Sequence, residues 1–176
     1  QYFNNKDKFI DTLLLELSSI NFKWEPKGRT TVKGFATNNL TDKNLPNFKK
    51  IEEIIFKELE NYYNYFSNKT DNVIKNKPEK YKFVSWSNRL KKEGFNLPHI
   101  HPSGWISGVF YLKVPSKIKN NEAGIQFHLN GDDFIIKNEN LPVKTVKPQA
   151  GDIVLFPSSL FHSTVPFNSS EERICI

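Results

Sequence analysis

The chain has 176 residues, of which 38% are apolar, 25% charged and 14% aromatic; a chain of this size buries roughly two-thirds of its unfolded surface in one core, without help from disulfides or a structural metal. Its net charge of +6 arises from 25 basic and 19 acidic residues, but only three of the basic ones are arginine and asparagine is abundant beside lysine, the signature of an AT-biased genome, so nucleic acid is not expected as a partner. No run of about 18 apolar residues suits a membrane span, no basic and then apolar leader opens the chain, and the lone Cys175 cannot form an internal bridge, which fits a reducing compartment.

The first half is patterned as helix. From Lys8 to Ile20, Phe9, Leu13, Leu14, Leu17 and Ile20 recur at the three-to-four spacing of an amphipathic helix. Phe22 to Asp42, which carries Trp24, Pro26, Gly28 and Gly34, reads as loop with a short strand. A longer helix is expected from Asn47 to Phe66, where Phe48, Ile51, Ile55, Leu59, Tyr62 and Phe66 make one stripe opposite Lys49, Lys50, Glu52, Glu53, Lys57 and Glu60. After Pro78 the period changes to two. Tyr81 to Ser87, Trp105 to Val114, Gly124 to Leu129, Asp133 to Lys137, Val143 to Val146, Asp152 to Phe156, Phe161 to Val165 and Arg173 to Ile176 read as short strands, divided by turn clusters such as Asn130-Gly131-Asp132.

Eight short strands match the double-sheet jelly roll, the cupin-like double-stranded β-helix. The expected class is therefore mainly β with N-terminal helices, the helices packed on one sheet. With no internal repeat or linker, residues 1–176 are expected to form one domain, 1–80 as helical support and 81–176 as the jelly-roll core. The absence of methionine, even at position 1, implies a start downstream of the native one, and Arg173-Ile174-Cys175-Ile176 reads as a strand still in progress.

Three of the four histidines fall where a metal would want them. His99 and His101 are two apart, so in an extended backbone both imidazoles point to one side. His162, on a later strand, is brought to the same mouth by a jelly-roll topology. Imidazole suits Fe, Zn, Cu or Ni, so the donor set alone does not choose the ion. Arg173, at the start of the last strand, offers a rigid fork for a carboxylate; Glu171 and Glu172 are its acidic neighbours in sequence, and a bound dicarboxylate would serve equally well.

The order of His99-x-His101-Pro102, Ser107 to Leu112, Gly151-Asp152, Phe156 to Ser158, His162 and Arg173 resembles the 2-oxoglutarate and Fe(II)-dependent oxygenases, and within them the bacterial and phage branch related to prolyl hydroxylases. The resemblance runs from Phe83 to Ile176. It implies Fe(II), 2-oxoglutarate and O2, with His99 and His162 on iron, and Arg173 and Tyr111 on the far carboxylate of the cosubstrate. Ser107 shares the strand face of Tyr111 and joins the cosubstrate set. The implied reaction is hydroxylation of an unactivated C–H bond, with 2-oxoglutarate converted to succinate and CO2. A small-molecule or peptidyl substrate and a cytoplasmic setting, in a bacterial cell or phage-infected host, follow from the same kinship.

One position departs from the family pattern. The wider superfamily has Asp or Glu where this chain has His101, which would leave iron with three neutral ligands. His101 is assigned as a ligand, with a base beside the metal or a substrate contact as alternatives; an open ligand position for water or halide would also admit halogenation. Trp86 and Asn88 are candidate pocket residues, and His128 a structural or substrate-facing one. The rival readings are a three-histidine cupin-type dioxygenase that has no use for Arg173, and a non-catalytic jelly-roll binding or structural protein.

Overall fold

A computed structural model describes residues 2–131 and 140–176. The chain divides into two compact units, Gln1–Asn21 with Asn39–Ser85, and Phe22–Asn38 with Trp86–Ile176. The first unit is helical. Helix α1 (Lys6–Ser18) begins where the Asn5 side chain accepts from the Lys8 amide at 2.9 Å, and buries Phe9, Ile10, Leu13 and Leu17. Helix α2 (Pro46–Phe66) has Leu45 at its N-cap, which offers no capping oxygen. Glu16 of α1 takes that role: its carboxylate accepts from the Asn47 and Phe48 amides at 2.8 and 3.1 Å. A negative charge on free amides at a helix start satisfies orphan donors and complements the helix dipole, an effect of about 0.5–2 kcal/mol. A single turn, α3 (Asn72–Lys75), capped by Asp71, lies in a stretch the sequence pattern leaves as loop.

The second unit holds the strands: β1 (Lys23–Trp24), β2 (Thr31–Ala36), β3 (Asn88–Asn96), β4 (Ile106–Lys113), β5 (Ile125–His128), β6 (Lys144–Val146), β7 (Ile153–Pro157), β8 (Phe161–Thr164) and β9 (Arg173–Cys175). One sheet runs β1-β2-β3-β9-β4-β7 and the other β6-β5-β8, antiparallel throughout. The class is mainly β with few helices, as the periodicity predicts. Residues 22–38, grouped with the N-terminal half in the sequence reading, pair with β3 and belong to this unit.

Two strand expectations need comment. Tyr81–Ser87 is not a named strand; the ladder begins at Asn88 and continues through Lys91-Lys92-Glu93-Gly94, a segment whose composition reads as a turn. The strand absorbs it as a bulge. Pairing jumps from Val32↔Phe95 to Gly34↔Leu90, with Glu93 and Lys33 at φ 61° and 48°. The expected strand Asp133–Lys137 lies outside the described residues.

The sheets face each other across an interior that both line. Phe127 of β5 meets Phe156 of β7 with ring centroids 5.0 Å apart, and the Arg173 Nε on β9 donates to the Ala123 carbonyl just before β5 at 3.0 Å. Leu90, Ala123 and Phe167 form a buried cluster between them, where each large apolar side chain contributes about 1.5–3 kcal/mol.

Candidate metal centre

The segment before β4 is laid onto the turn between β7 and β8. His99 and His162 form an isolated antiparallel bridge, each amide donating to the other's carbonyl at 3.0 Å. Two residues on, the His101 amide donates to the Ser158 carbonyl at 3.0 Å, and the Gly104 amide closes a turn onto the His101 carbonyl at 2.9 Å. A Cβ on Gly104 would sit 2.6 Å from the Ser158 Oγ, so only glycine lets this turn lie so close.

That docking gathers the three imidazoles. One ligand nitrogen from each of His99, His101 and His162 lies within 4.8 Å of the others, and the ring centroids are 4.3–5.2 Å apart. The Nδ1 of His99 donates to the Leu97 carbonyl at 2.6 Å and that of His162 to the Leu160 carbonyl at 3.1 Å. A carbonyl only accepts, so the proton sits on Nδ1 and Nε2 keeps its lone pair for a metal. His101 is held differently: its Nδ1 meets the Ser107 Oγ at 2.7 Å, and Ser107 meets the Ser158 Oγ at 2.7 Å. Burial, then the charges of His99 and Arg29, push the His101 pKa down to about 4; burial and His99 push His162 down to about 3. Both rings are therefore neutral near pH 7.

A second polar site lies further along the same interior. Ser107, Val109 and Tyr111 share one face of β4, and their register carries them from the histidines toward β9, where Tyr111 pairs with Cys175. The interval from Ser107 to Tyr111 is four residues, about 14 Å of strand. Arg173 is only 2% exposed and Tyr111 is fully buried. The guanidinium sits 4.9 Å from the Tyr111 ring centroid and donates to the Cys175 Sγ at 3.3 Å. Among the described residues no carboxylate pairs with Arg173, and the buried Tyr111 hydroxyl has no partner other than the guanidinium beside it. Burial drives the tyrosine pKa up against the pull of Arg173. Burial also opposes the arginine's charge, but Cys175 and Tyr111 outweigh it and hold the pKa above the ordinary value.

Residues 84–176, more than half of the chain, match the family described as "Putative 2OG-Fe(II) oxygenase". The chain belongs to the 2-oxoglutarate and Fe(II)-dependent oxygenases. Solved structures agree at the level of fold. A Pseudomonas putida prolyl-4-hydroxylase is 14% identical with a TM-score of 0.59, over 96% of this chain and 83% of that one. HygX from Streptomyces hygroscopicus, with nickel and 2-oxoglutarate bound, is 12% identical with a TM-score of 0.61, over 99% and 77%. A Trichoplax adhaerens prolyl hydroxylase in complex with a hypoxia inducible factor peptide fragment is 13% identical with a TM-score of 0.60, over 96% and 74%. No curated protein sequence matches the chain. These oxygenases share the double-stranded β-helix, and the two facing sheets are that fold here.

The residues present fit both groups that the oxygenase family uses. Three imidazole nitrogens within 4.8 Å of one another suit a divalent transition metal; a buried guanidinium with no carboxylate among the described residues, beside a buried hydroxyl, suits a carboxylate. Of the pocket candidates, Trp86 meets the His101 ring edge-on at 5.4 Å between centroids. Asn88 pairs with Cys175 in register and accepts from the Thr31 hydroxyl at 3.2 Å. His128 is not brought to the cluster. Phe127 is the residue opposite His162, so the next position faces the other way, and His128 bonds the Ser163 Oγ at 2.8 Å. Three contributors carry no site role in the sequence reading. Ser158, there only part of the Phe156 to Ser158 motif, joins the hydroxyl chain to His101. Asn96 donates to the Thr164 Oγ1 at 3.4 Å and keeps a buried Oδ1 without a partner among the described residues. Arg29 stands over Trp86, and its one signal was scarcity of arginine.

Proposed function

We propose that this oxygenase is a hydroxylase working as one domain over residues 1–176, with His99, His101 and His162 holding Fe(II) and Arg173, Tyr111 and Ser107 lining the 2-oxoglutarate site. The observation that carries this reading is Arg173: a buried cation with no carboxylate among the described residues, beside the buried Tyr111 hydroxyl, on the interior face that leads to the histidines. Iron and 2-oxoglutarate together, with O2, supply the oxidising power to hydroxylate an unactivated C–H bond while 2-oxoglutarate becomes succinate and CO2. The protein's part is binding and orientation. Neutral His101 and His162 meet a metal without paying a deprotonation cost at neutral pH, and the protons held on Nδ1 of His99 and His162 leave their Nε2 free to face it. Arg173 grips the far carboxylate with two donors, Tyr111 donates a third, and the buried setting strengthens each bond. Trp86 forms the wall beside His101 and keeps water from that side. The substrate is a peptidyl or free amino acid, a reading supported by kinship with prolyl hydroxylases.

Anaerobic titration of the metal-free protein tests the reading. Fe(II) followed by 2-oxoglutarate is expected to give the visible absorption that the two produce together, and His162→Ala to abolish it. Aerobic succinate formation from 2-oxoglutarate is the matching activity assay. A second reading draws on His101 in the usual carboxylate position: a three-histidine dioxygenase without cosubstrate. It leaves Arg173 idle, so iron binding unaffected by 2-oxoglutarate would favour it, and no metal binding at all would favour a non-catalytic jelly roll.

A further inference from the structure

Arg29 is presented by a tight turn, Pro26-Lys27-Gly28-Arg29, closed by donation from the Arg29 amide to the Pro26 carbonyl at 3.1 Å. Gly28 has φ +77°, the left-handed third position of a type II turn that glycine adopts without strain. The turn links β1 and β2, and β2 is anchored along β3. The guanidinium lies over the Trp86 ring, 5.1 Å from its centroid, and Trp86 in turn abuts His101. A planar cation on an aromatic face, beside one of the three clustered histidines, is therefore built into the hairpin.

Among the described residues no carboxylate pairs with Arg29, whereas Arg89 faces Glu172 and the Phe22 ring, and Arg173 is buried on Ala123 and Cys175. The surroundings are also one-sided in charge. No described carboxylate joins the histidine cluster, and Arg29 is close enough to His101 to act on it electrostatically. Among the described residues, a divalent metal and two arginines set against one dicarboxylate leave the site net cationic, and a cationic cleft draws in and orients an anion.

We propose that Arg29 binds a carboxylate of the substrate, which is therefore a carboxylic acid rather than a neutral amide or sugar. This rests on the hydroxylase reading and names its substrate class. The carboxylate comes either from a free amino or related acid or from an acidic side chain of a peptide. Edge-on, the stacked guanidinium offers two parallel donors to a coplanar carboxylate, which fixes the rest of the acid against Trp86 and toward the histidines.

The test uses protein loaded anaerobically with Fe(II) and 2-oxoglutarate. The probes are free L-amino acids, their carboxamides, and short Asp- or Glu-containing peptides with both termini blocked; the readout is the change in visible absorption. At least one acid is expected to perturb the spectrum while its amide does not. Free acids responding alone identify a small-molecule substrate, and blocked acidic peptides responding alone a peptidyl one. Arg29→Gln is expected to weaken that acid more than about tenfold, the loss of a charge-assisted pair, and Arg29→Lys, which keeps charge without the fork, to weaken it less. The proposal is overturned if no acid perturbs the spectrum, if amides match acids, or if Arg29→Gln binds the acid unchanged. It is also overturned if that variant loses the 2-oxoglutarate signal itself, which would assign Arg29 to the cosubstrate. Absence of that signal in the unsubstituted protein is the separate failure of the hydroxylase reading.

Discussion

In the helical unit the buried positions include Phe9, Ile10, Leu13, Leu17, Leu40, Leu45, Phe48, Ile51, Ile54 and Leu59, with Tyr63 and Ser85 the polar residues among them. In the β unit they include Ser87, Ser107, Ser158, His162, Ser163, Thr164 and Arg173. Apolar burial supports itself, whereas every buried polar group loses water and must find a partner. Most of those in the β unit do, through hydroxyl chains and backbone. Among the described residues the Asn96 Oδ1 and the Arg89 Nε find no hydrogen bond, the Tyr111 hydroxyl has only the Arg173 guanidinium beside it, and Arg173 has no carboxylate; in the helical unit the Ser85 hydroxyl is likewise without a hydrogen bond. Polar burial is concentrated in the second interior, so substitutions at equally buried positions should move different observables.

The largest effect is expected from Leu13→Ala. This 1% exposed side chain on α1 should cost about 2–5 kcal/mol in denaturant unfolding, with metal affinity of the folded fraction unchanged. His162→Ala is the counterpart: metal affinity by titration should fall by more than about a hundredfold, since even groups that only support a ligand are worth 10–100-fold. If Leu13→Ala weakened the metal as much as His162→Ala does, the contrast between the interiors would fail.

Arg173→Met sharpens it further. Removing a buried cation that has no carboxylate partner relieves a cost that the bonds to Ala123 and Cys175 only partly offset. The metal-free variant should unfold at the same denaturant midpoint or higher, while 2-oxoglutarate affinity drops by about a hundredfold from two lost charge-assisted bonds. Acid should reveal the same trade. His101 and His162 have folded pKa values of about 4 and 3 against an unfolded value near 6.5, so below that value the unfolded chain takes up protons first. Their contribution to stability is complete above about pH 6.5 and is lost as pH falls toward 4 and then 3. Denaturant midpoints of the metal-free protein should fall between pH 7 and pH 5, and His162→Ala should flatten the slope.

The helices were legible because their apolar stripes repeat locally, and α2 starts within a residue of the expected Asn47. The pairing of His99 with His101 was legible from strand parity alone. β3 was not: Lys91-Lys92-Glu93-Gly94 carries turn chemistry, and only the non-local partner β2 makes it a bulged strand. Arg29 and Ser158 were opaque for the same reason, since each gains its neighbour through a contact between distant segments, Trp86 in one case and Ser107 in the other. Local pattern located the residues with metal-binding chemistry, and tertiary docking selected the polar groups that surround them.

That distinction yields the smallest and most specific effect, at Ser107. His99 and His162 have their tautomers fixed by backbone carbonyls, which no side-chain substitution removes, but His101 depends on the Ser107 hydroxyl and, behind it, Ser158. Ser107→Ala leaves the His101 Nδ1 without its described partner and frees the ring to rotate or to place its proton on Nε2. Metal affinity should fall by about tenfold. Ser107→Thr, which restores a hydroxyl, should recover part of it, and unfolding in the absence of metal should change by less than about 1 kcal/mol. An affinity that survives Ser107→Ala unchanged would mean that His99 and His162 hold the metal by themselves, with His101 free to serve as a base or a substrate contact.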